Sequence, residues 1–321
     1  MTQPLVTIGL CAYNAANTVH KAVASALAQT WQPIEIVAVD DCSTDNTRAI
    51  LNELAQKHPE FRVFGNLQNG GVAVSRNRIL AETRGEFVAF FDDDDESLPV
   101  RVEAQVKRIS DYERDFAKGA PVICHTARHM VYPNGKVHDE PTIGQRTGKL
   151  APAGEAVARR ILMGAPLDDA YGACPTCCQM ARLSTYQSLG GFDAEFRRSE
   201  DTDFNIRLAL AGGHFVGLDK ALVLQKMTKA SEKSLTEEHF FQIKLMQKHH
   251  QFMNHEGQFE FYRDWAVLKQ AWLEGRHFSF TAQLLALIMH HPLLSLRRLW
   301  LALPNTRANR AFSRFHGRNH G

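Results

Sequence analysis

The sequence is short of the features that mark several protein classes. It has 6 cysteines in 321 residues, too few for a disulfide scaffold, so the thiols are expected reduced and the compartment cytosolic. No uninterrupted apolar stretch reaches the roughly 20 residues that a spanning helix needs. Met1-Thr2-Gln3-Pro4 begins neither a basic segment nor a long apolar one, so no signal peptide is expected. No Gly-x-Gly-x-x-Gly follows the first apolar run, and there is no Gly-rich lysine loop. That disfavours a dinucleotide dehydrogenase and a P-loop enzyme. Cys174-x-x-Cys177-Cys178 has no second Cys-x-x-Cys, whereas a structural zinc wants four ligands. A net charge of +2 makes no case for nucleic acid. One shortage is local. After Glu274 there is no Asp or Glu, while Arg276, Arg297, Arg298, Arg307, Arg310, Arg314 and Arg318 follow.

What the chain does have is a run of four acids. Asp92, Asp93, Asp94 and Asp95 follow Phe87-Val88-Ala89-Phe90-Phe91. The apolar run reads as a buried strand, which puts the acids at its C-terminal end. Open α/β sheets bind ligands at that edge. Adjacent carboxylates repel one another unless a cation sits among them, and hard oxygen ligands suit Mg²⁺ or Mn²⁺. Such an ion would most simply hold a diphosphate.

Strand and helix signals alternate through the first 120 residues. Val6–Cys11 reads as a strand. A helix with Val19, Val23, Ala26 and Leu27 on one face follows, capped by Asn17 or Thr18. Ile34–Val39 reads as a second strand, ending in Asp40-Asp41. Ser43 or Thr44 is expected to cap the next helix, which leaves Asp41 available to a ligand. Phe61–Phe64 is a third strand, and Gly70-Gly71 opens a helix through Leu80. This alternation predicts a mostly parallel sheet with right-handed crossovers. Further on, Asn134-Gly135 signals a hairpin, residues 139–153 read as a mobile loop, and Glu200-Asp201 opens a helix. Beyond about residue 226 the pattern is helical.

Taken together, these pieces resemble the family 2 glycosyltransferases. The residues that carry the resemblance are Ala12-Tyr13-Asn14, Gln29-Thr30 and Asp40-Asp41-Cys42-Ser43-Thr44-Asp45. They continue with Asn69-Gly70-Gly71, Arg76-Asn77, Gly85-Glu86, the four aspartates, Pro99, Gly190-Gly191-Phe192-Asp193 and Glu200-Asp201. They stand in the family's order over roughly residues 4–225. The resemblance implies the GT-A fold for residues 1–225, followed by a helical extension over 226–321. It implies inverting transfer of a sugar from a nucleotide-diphosphate donor, expected to be a UDP-sugar, to an acceptor hydroxyl. The setting it suggests is bacterial cell-surface polysaccharide or lipopolysaccharide assembly, with a glycan or a lipid-linked molecule as acceptor.

Position by position, the resemblance makes Asp41 a contact of the donor base, with Ala12 and Tyr13 near it. Arg76 is expected near the base and diphosphate, Asp93 at the ribose, and Asp94 on the Mn²⁺ or Mg²⁺ ion. Asp201 becomes the general base. The family pattern is Asp-x-Asp-Asp, and here the variable position is acidic too, so Asp92 and Asp95 remain further candidates. Glu200 is a third, and as a neighbour of Asp201 it is expected to raise at least one pKa of the pair. Cys174, Cys177 and Cys178 are read as small residues lining the acceptor side.

The C-terminal region carries Leu284–Met289, Leu293–Leu296 and Leu299–Leu301, interleaved with His290, His291, Arg297 and Arg298. Apolar helices with basic residues and a tryptophan suit an anionic membrane interface. They suit equally a helical cap on the catalytic domain. The localisation expected is therefore cytoplasmic, with peripheral contact at the inner face of the cytoplasmic membrane through 276–321 as one of two readings. A nucleotidyltransferase is disfavoured, because it would place a basic Gly-rich loop where Leu10–Ala16 stands. A non-catalytic nucleotide-sugar-binding or scaffold subunit is the alternative from another class.

Overall fold

The computed structural model describes residues 3–227, 235–255 and 257–301. It divides into one unit of residues 1–131 with 135–227, and a second of 132–134 with 228–321. The first unit is built on a sheet. Strand β1 (Val6–Ala12) leads to helix α1 (Val19–Leu27), β2 (Ile34–Asp40), α2 (Thr47–Lys57), β3 (Phe61–Gly65), α3 (Val72–Glu82) and β4 (Phe87–Asp92). The alternation is the one that the apolar periodicity predicts. β2 is buried along its whole length and β4 up to its last residue, because helices cover the sheet. β1 pairs in parallel with β2 and β4, and β2 with β3.

The second half of the unit extends the same sheet. It contains β5 (Glu96–Ser97), α4 (Arg101–Tyr112), β6 (Val122–Val131), β7 (Val137–Glu140), α5 (Glu155–Met163), β8 (Gln179–Arg182), α6 (Leu183–Ser188), α7 (Glu200–Leu210) and β9 (His214–Lys226). The strand order is β3-β2-β1-β4-β8-β6-β9-β5, with β7 paired to β6. β8 is antiparallel to both β4 and β6, while β9 runs parallel to β6. The hairpin signal at Asn134-Gly135 lies between β6 and β7, which pair antiparallel, and Gly135 takes the left-handed φ of 78° that such a turn demands.

Two local expectations fail for identifiable reasons. Thr18 stands at the N-cap of α1, but its hydroxyl donates to the Ala15 carbonyl and caps nothing. Neither Ser43 nor Thr44 caps α2. Both bond Asn14 instead, with Ser43 Oγ accepting from Asn14 N and Asn14 Oδ1 accepting from Thr44 N. Asp45 receives the Thr47 amide in their place.

The segment 139–153 is likewise pinned, not a mobile loop. The amide of Gly144 donates to Asp169 O at 2.7 Å, and its carbonyl accepts from the Gly217 amide at 2.7 Å. Arg108 Nη2 donates to the carbonyls of Gly144 and Arg146. Polar, Gly/Pro-rich composition misleads here because both backbone groups and side chains, such as Thr142 donating to Ala173 O and Gln145 to Leu218 O, hold the segment.

The second unit is helical: α8 (Leu235–Lys248), α9 (His250–His255), α10 (Phe259–Leu273), α11 (His277–His290) and a helix at 292–301. Phe261, Leu268 and Leu287 form its buried cluster, with Trp265, Phe280 and Leu284 against it. No helix among the described residues is long and apolar enough to cross a membrane. Arg307, Arg310, Arg314 and Arg318 lie outside the described residues.

Gly144 has φ +75°, and a Cβ there would stand 1.9 Å from the Phe215 carbonyl oxygen. Gly144→Ala combines a left-handed backbone with a clash against main chain, so it is expected to cost about 2 kcal/mol or more. Thermal unfolding checks this; an unchanged melting point would show the segment free to move away.

Candidate active site

The parallel strands end together, and their C-terminal turns are tied side to side. After β1, Tyr13 leaves the sheet with its ring 47% exposed, and its amide donates to Asp93 Oδ2 at 2.9 Å. Ala12 is buried, and its carbonyl accepts from the Asp41 amide at 2.8 Å. Burial pushes the Asp93 carboxyl up to about 7; the Tyr13 amide opposes this, and the charges of Asp94 and Asp92 add to it.

Asp41 is not left available as the sequence suggested. It is buried, and its carboxylate accepts from Asn66 Nδ2 at 2.6 Å, the Gly70 amide at 3.1 Å and the Gly71 amide at 2.7 Å. It therefore clamps the turn that opens α3. Gly71 is the N-cap there, with φ 85°, a conformation that costs glycine little. Asn66 lies just past β3 and also donates to Ser75 Oγ. Its role has no sequence signal beyond a polar residue at a strand end.

The clamp aims α3 and its arginine. Arg76 is almost fully buried, so it is not a solvated helix arginine. Its Nη1 lies 2.5 Å from Glu200 Oε1 at the start of α7, and its Nη2 lies 3.5 Å from Asp92 Oδ1 at the end of β4. The guanidinium also sits over the rings of Phe192 and Phe90. Burial works against its charge, but Glu200 and Asp92 outweigh it and hold the pKa above the usual arginine range. Burial raises the Glu200 pKa, Arg76 opposes that, and Asp201 adds to it.

Asn77, the next residue of α3, completes the link. Its Nδ2 donates to Phe192 O at 2.7 Å, and its Oδ1 accepts from Phe192 N at 2.8 Å. The Gly190-Gly191-Phe192 turn is thus held against α3, and a Cβ on Gly191 would meet Asn77 Oδ1 at 2.4 Å. Asp201 is half-buried in the first turn of α7, where its Oδ1 accepts from the Thr202 amide.

The four aspartates divide by environment. Asp92 and Asp95 each bring a carboxylate oxygen into a group with Cys177 Sγ, all within 4.8 Å of one another. Asp94 does not belong to that group. Asp95 is buried, its Oδ1 accepts from the Lys226 amide at 3.1 Å, and its Oδ2 has no partner. Burial, Cys177 and the neighbouring aspartates raise its pKa. A buried carboxylate oxygen without a donor, beside a second carboxylate, fits a divalent cation. Sequence spacing does not bring Cys177 beside the acids, because its position depends on β8 packing against β4. Lys226 carries no sequence signal, because exposed Asp219 and Lys220 interrupt the alternation of β9.

Removing Arg76 alone would strand Glu200 as a buried charge. Arg76→Met is expected to lower unfolding stability by about 3–5 kcal/mol, and Glu200→Gln in the same chain to recover part of it. Urea unfolding of the two variants checks the pairing; equal losses in both would show that Glu200 is not the partner that matters.

Residues 7–155 match the family model described as glycosyl transferase family 2. The chain is 34% identical to the chondroitin synthase of Pasteurella multocida over 42% of its own length and 13% of that protein. It is 37% identical to an Escherichia coli protein, the UDP-Glc:alpha-D-GlcNAc-diphosphoundecaprenol beta-1,3-glucosyltransferase WfaP, over 32% of this chain and 40% of that one. The chain thus spans less than half the length of these relatives. Among solved structures, S. aureus TarS 1-349 in complex with UDP-GlcNAc superposes with a TM-score of 0.57 at 20% identity, covering 86% of this chain and 73% of that one. Residues 7–155 are thus similar to the glycosyl transferase family 2 model, and the mostly parallel sheet has a GT-A-like fold.

Proposed function

We propose that the protein is an inverting glycosyltransferase that takes a nucleotide-diphosphate sugar, with UDP as the nucleotide, and serves the assembly of a bacterial surface polysaccharide or lipopolysaccharide. The observation that carries this reading is the Arg76 bridge. It joins the acids at the end of β4 to the acidic start of α7, so one edge of the sheet holds groups for a leaving diphosphate and for an incoming hydroxyl. The relatives support the setting, since one is a chondroitin synthase and another uses a UDP-linked glucose by its name. A glycan or lipid-linked acceptor follows from the same names.

The exposed Tyr13 ring offers a stacking surface to the base, with Ala12 and Asp41 behind it. Asp93, held by the Tyr13 amide, faces the ribose side. Asp92 and Asp95 would hold the ion, Mn²⁺ or Mg²⁺, with Asp94 beside them; their convergence favours this pair over Asp94 as the ligands. When bound, the ion neutralises charge that grows on the leaving diphosphate. Arg76 is committed to its two carboxylates, so it acts near the diphosphate by fixing Asp92.

Inversion needs a base on the acceptor side that removes the hydroxyl proton as the anomeric carbon is attacked. Glu200 is tied to Arg76, which leaves Asp201 for that role. The alternative, a nucleotide-sugar-binding subunit without catalysis, leaves Asp201 without a task. We place the boundary between the catalytic domain and the helical extension near residue 226.

The extension supplies the membrane contact. Phe278, Leu285, Met289, Leu293, Leu296 and Trp300 are all more than half exposed, and no acid follows Glu274. An apolar face with cationic flanks lies in an anionic lipid surface and does not cross it. The enzyme would then work at the cytoplasmic membrane's inner face.

Two measurements test these roles. A thermal-shift panel of UDP, GDP, ADP and CDP with Mn²⁺, Mg²⁺ or EDTA is expected to give a metal-dependent stabilisation largest for UDP, and Asp201→Asn to keep that shift while transfer falls by about 10²–10⁴. No shift with any nucleotide would favour the scaffold reading, and near-normal turnover in Asp201→Asn would remove it as base. Separately, the full chain is expected to pellet with vesicles containing anionic lipid, and a Met289→Glu/Leu293→Glu/Trp300→Glu variant to stay in solution. Equal pelleting of both would rule out this face.

A further inference from the structure

We infer that Cys177 is a thiolate ligand of the metal site, which makes that site select a borderline transition ion over Mg²⁺. The inference rests on the proposed glycosyltransferase reading, because it concerns the ion of the same site. Its basis is the surroundings of one sulfur atom. Cys177 is 2% exposed, and its Sγ lies within 4.8 Å of carboxylate oxygens of Asp92 and Asp95. Metal–oxygen and metal–sulfur bonds run from about 2.0 to 2.3 Å, so ligands of one ion stand at most about 4.3 Å apart, and small side-chain rotations would draw these atoms onto one ion.

Two further observations point the same way. Asp95 is 5% exposed and its Oδ2 has no partner, although a thiol capable of donating stands close by. The donors around the sulfur instead face it. Arg128 Nη1 lies 3.9 Å from Sγ and Gln225 Nε2 lies 3.8 Å from it. A guanidinium and an amide N–H directed at the sulfur would stabilise a thiolate formed when a metal displaces the thiol proton. Glu140 pairs with Arg128 and fixes its direction. The position is set by backbone, since Cys177 lies in a short helical turn just before β8, and β8 pairs with β4, which ends in Asp92.

Two carboxylates alone make a hard site in which Mg²⁺ competes on equal terms. A thiolate changes the ranking, because soft sulfur binds Mg²⁺ poorly and favours Co²⁺ and Zn²⁺ over Mn²⁺. Binding converts the thiol to a thiolate, and its proton is released to solvent. The Cys178 Sγ is 3.9 Å from Cys177 Sγ but is not part of the convergent group.

Cobalt(II) tests the assignment directly, because a cobalt–thiolate bond gives a near-ultraviolet charge-transfer band that oxygen ligands do not. Titration of the whole chain with Co²⁺ is expected to produce this band and to release protons. Cys177→Ser should lose the band, Cys178→Ser should keep it, and equimolar Mg²⁺ should leave it in place. Should Cys177→Ser fold poorly, Cys177→Ala is read the same way. If Co²⁺-dependent UDP binding is seen by calorimetry without any band, the thiolate assignment is overturned and the glycosyltransferase reading stands. A band that survives in the Cys177 variants, or vanishes in Cys178→Ser, places the thiolate elsewhere and also overturns it. Neither cobalt nor nucleotide binding overturns both.

Discussion

A single buried guanidinium holds the active edge together. Arg76 lies between carboxylates that come from opposite halves of the first unit, Asp92 at the end of β4 and Glu200 at the start of α7. Neither Arg76 nor Glu200 would be tolerated alone at that depth, since an unpaired buried charge costs several kcal/mol. The charges therefore specify one another's positions. Asn77 adds an uncharged restraint in the same direction by bonding both backbone groups of Phe192. The aromatic rings of Phe90, Tyr186, Phe192 and Phe204 pack beneath, excluding water from one side of the pair.

The acids are therefore sorted by what surrounds them. Asp41 is spent on backbone amides and organises a turn. Asp93 is spent partly on the Tyr13 amide. Asp95 keeps one oxygen without a partner. Adjacent residues of one type thus differ in surroundings, Asp93 on the Tyr13 amide and Asp92 with Asp95 beside Cys177, because a strand end turns successive side chains toward different neighbours.

The sequence made the first half of the sheet legible, since β1 to β4 are apolar runs of ordinary length bounded by turn residues. β9 was not legible. It runs for 13 residues with exposed Asp219 and Lys220 in its middle, where its register with β6 shifts, and such an interruption hides the alternation. The ordered acids, Arg76 and the helix start at Glu200-Asp201 were readable as types and positions. Their partners were not. That Asp41 holds the Gly70-Gly71 turn, and that Cys177 approaches Asp92, depend on contacts between residues many positions apart. Capping failed for a local reason, because Ser43, Thr44 and Asn14 bond one another across two turns.

The two anchors on α3 also bear on how such a protein can diversify. Residues 93–199 form one long excursion whose ends are both fixed from the same helix, at Asp92 through Arg76 and at Phe192 and Glu200 through Arg76 and Asn77. Closing a long loop costs only slightly more as it lengthens. Insertions, deletions and exchanges in the surface connections of the excursion, away from Asp95, Cys177 and the strands β6 and β8, can therefore accumulate while the edge that it returns to keeps its geometry. Divergence in those surface connections is decoupled from constancy at the sheet edge.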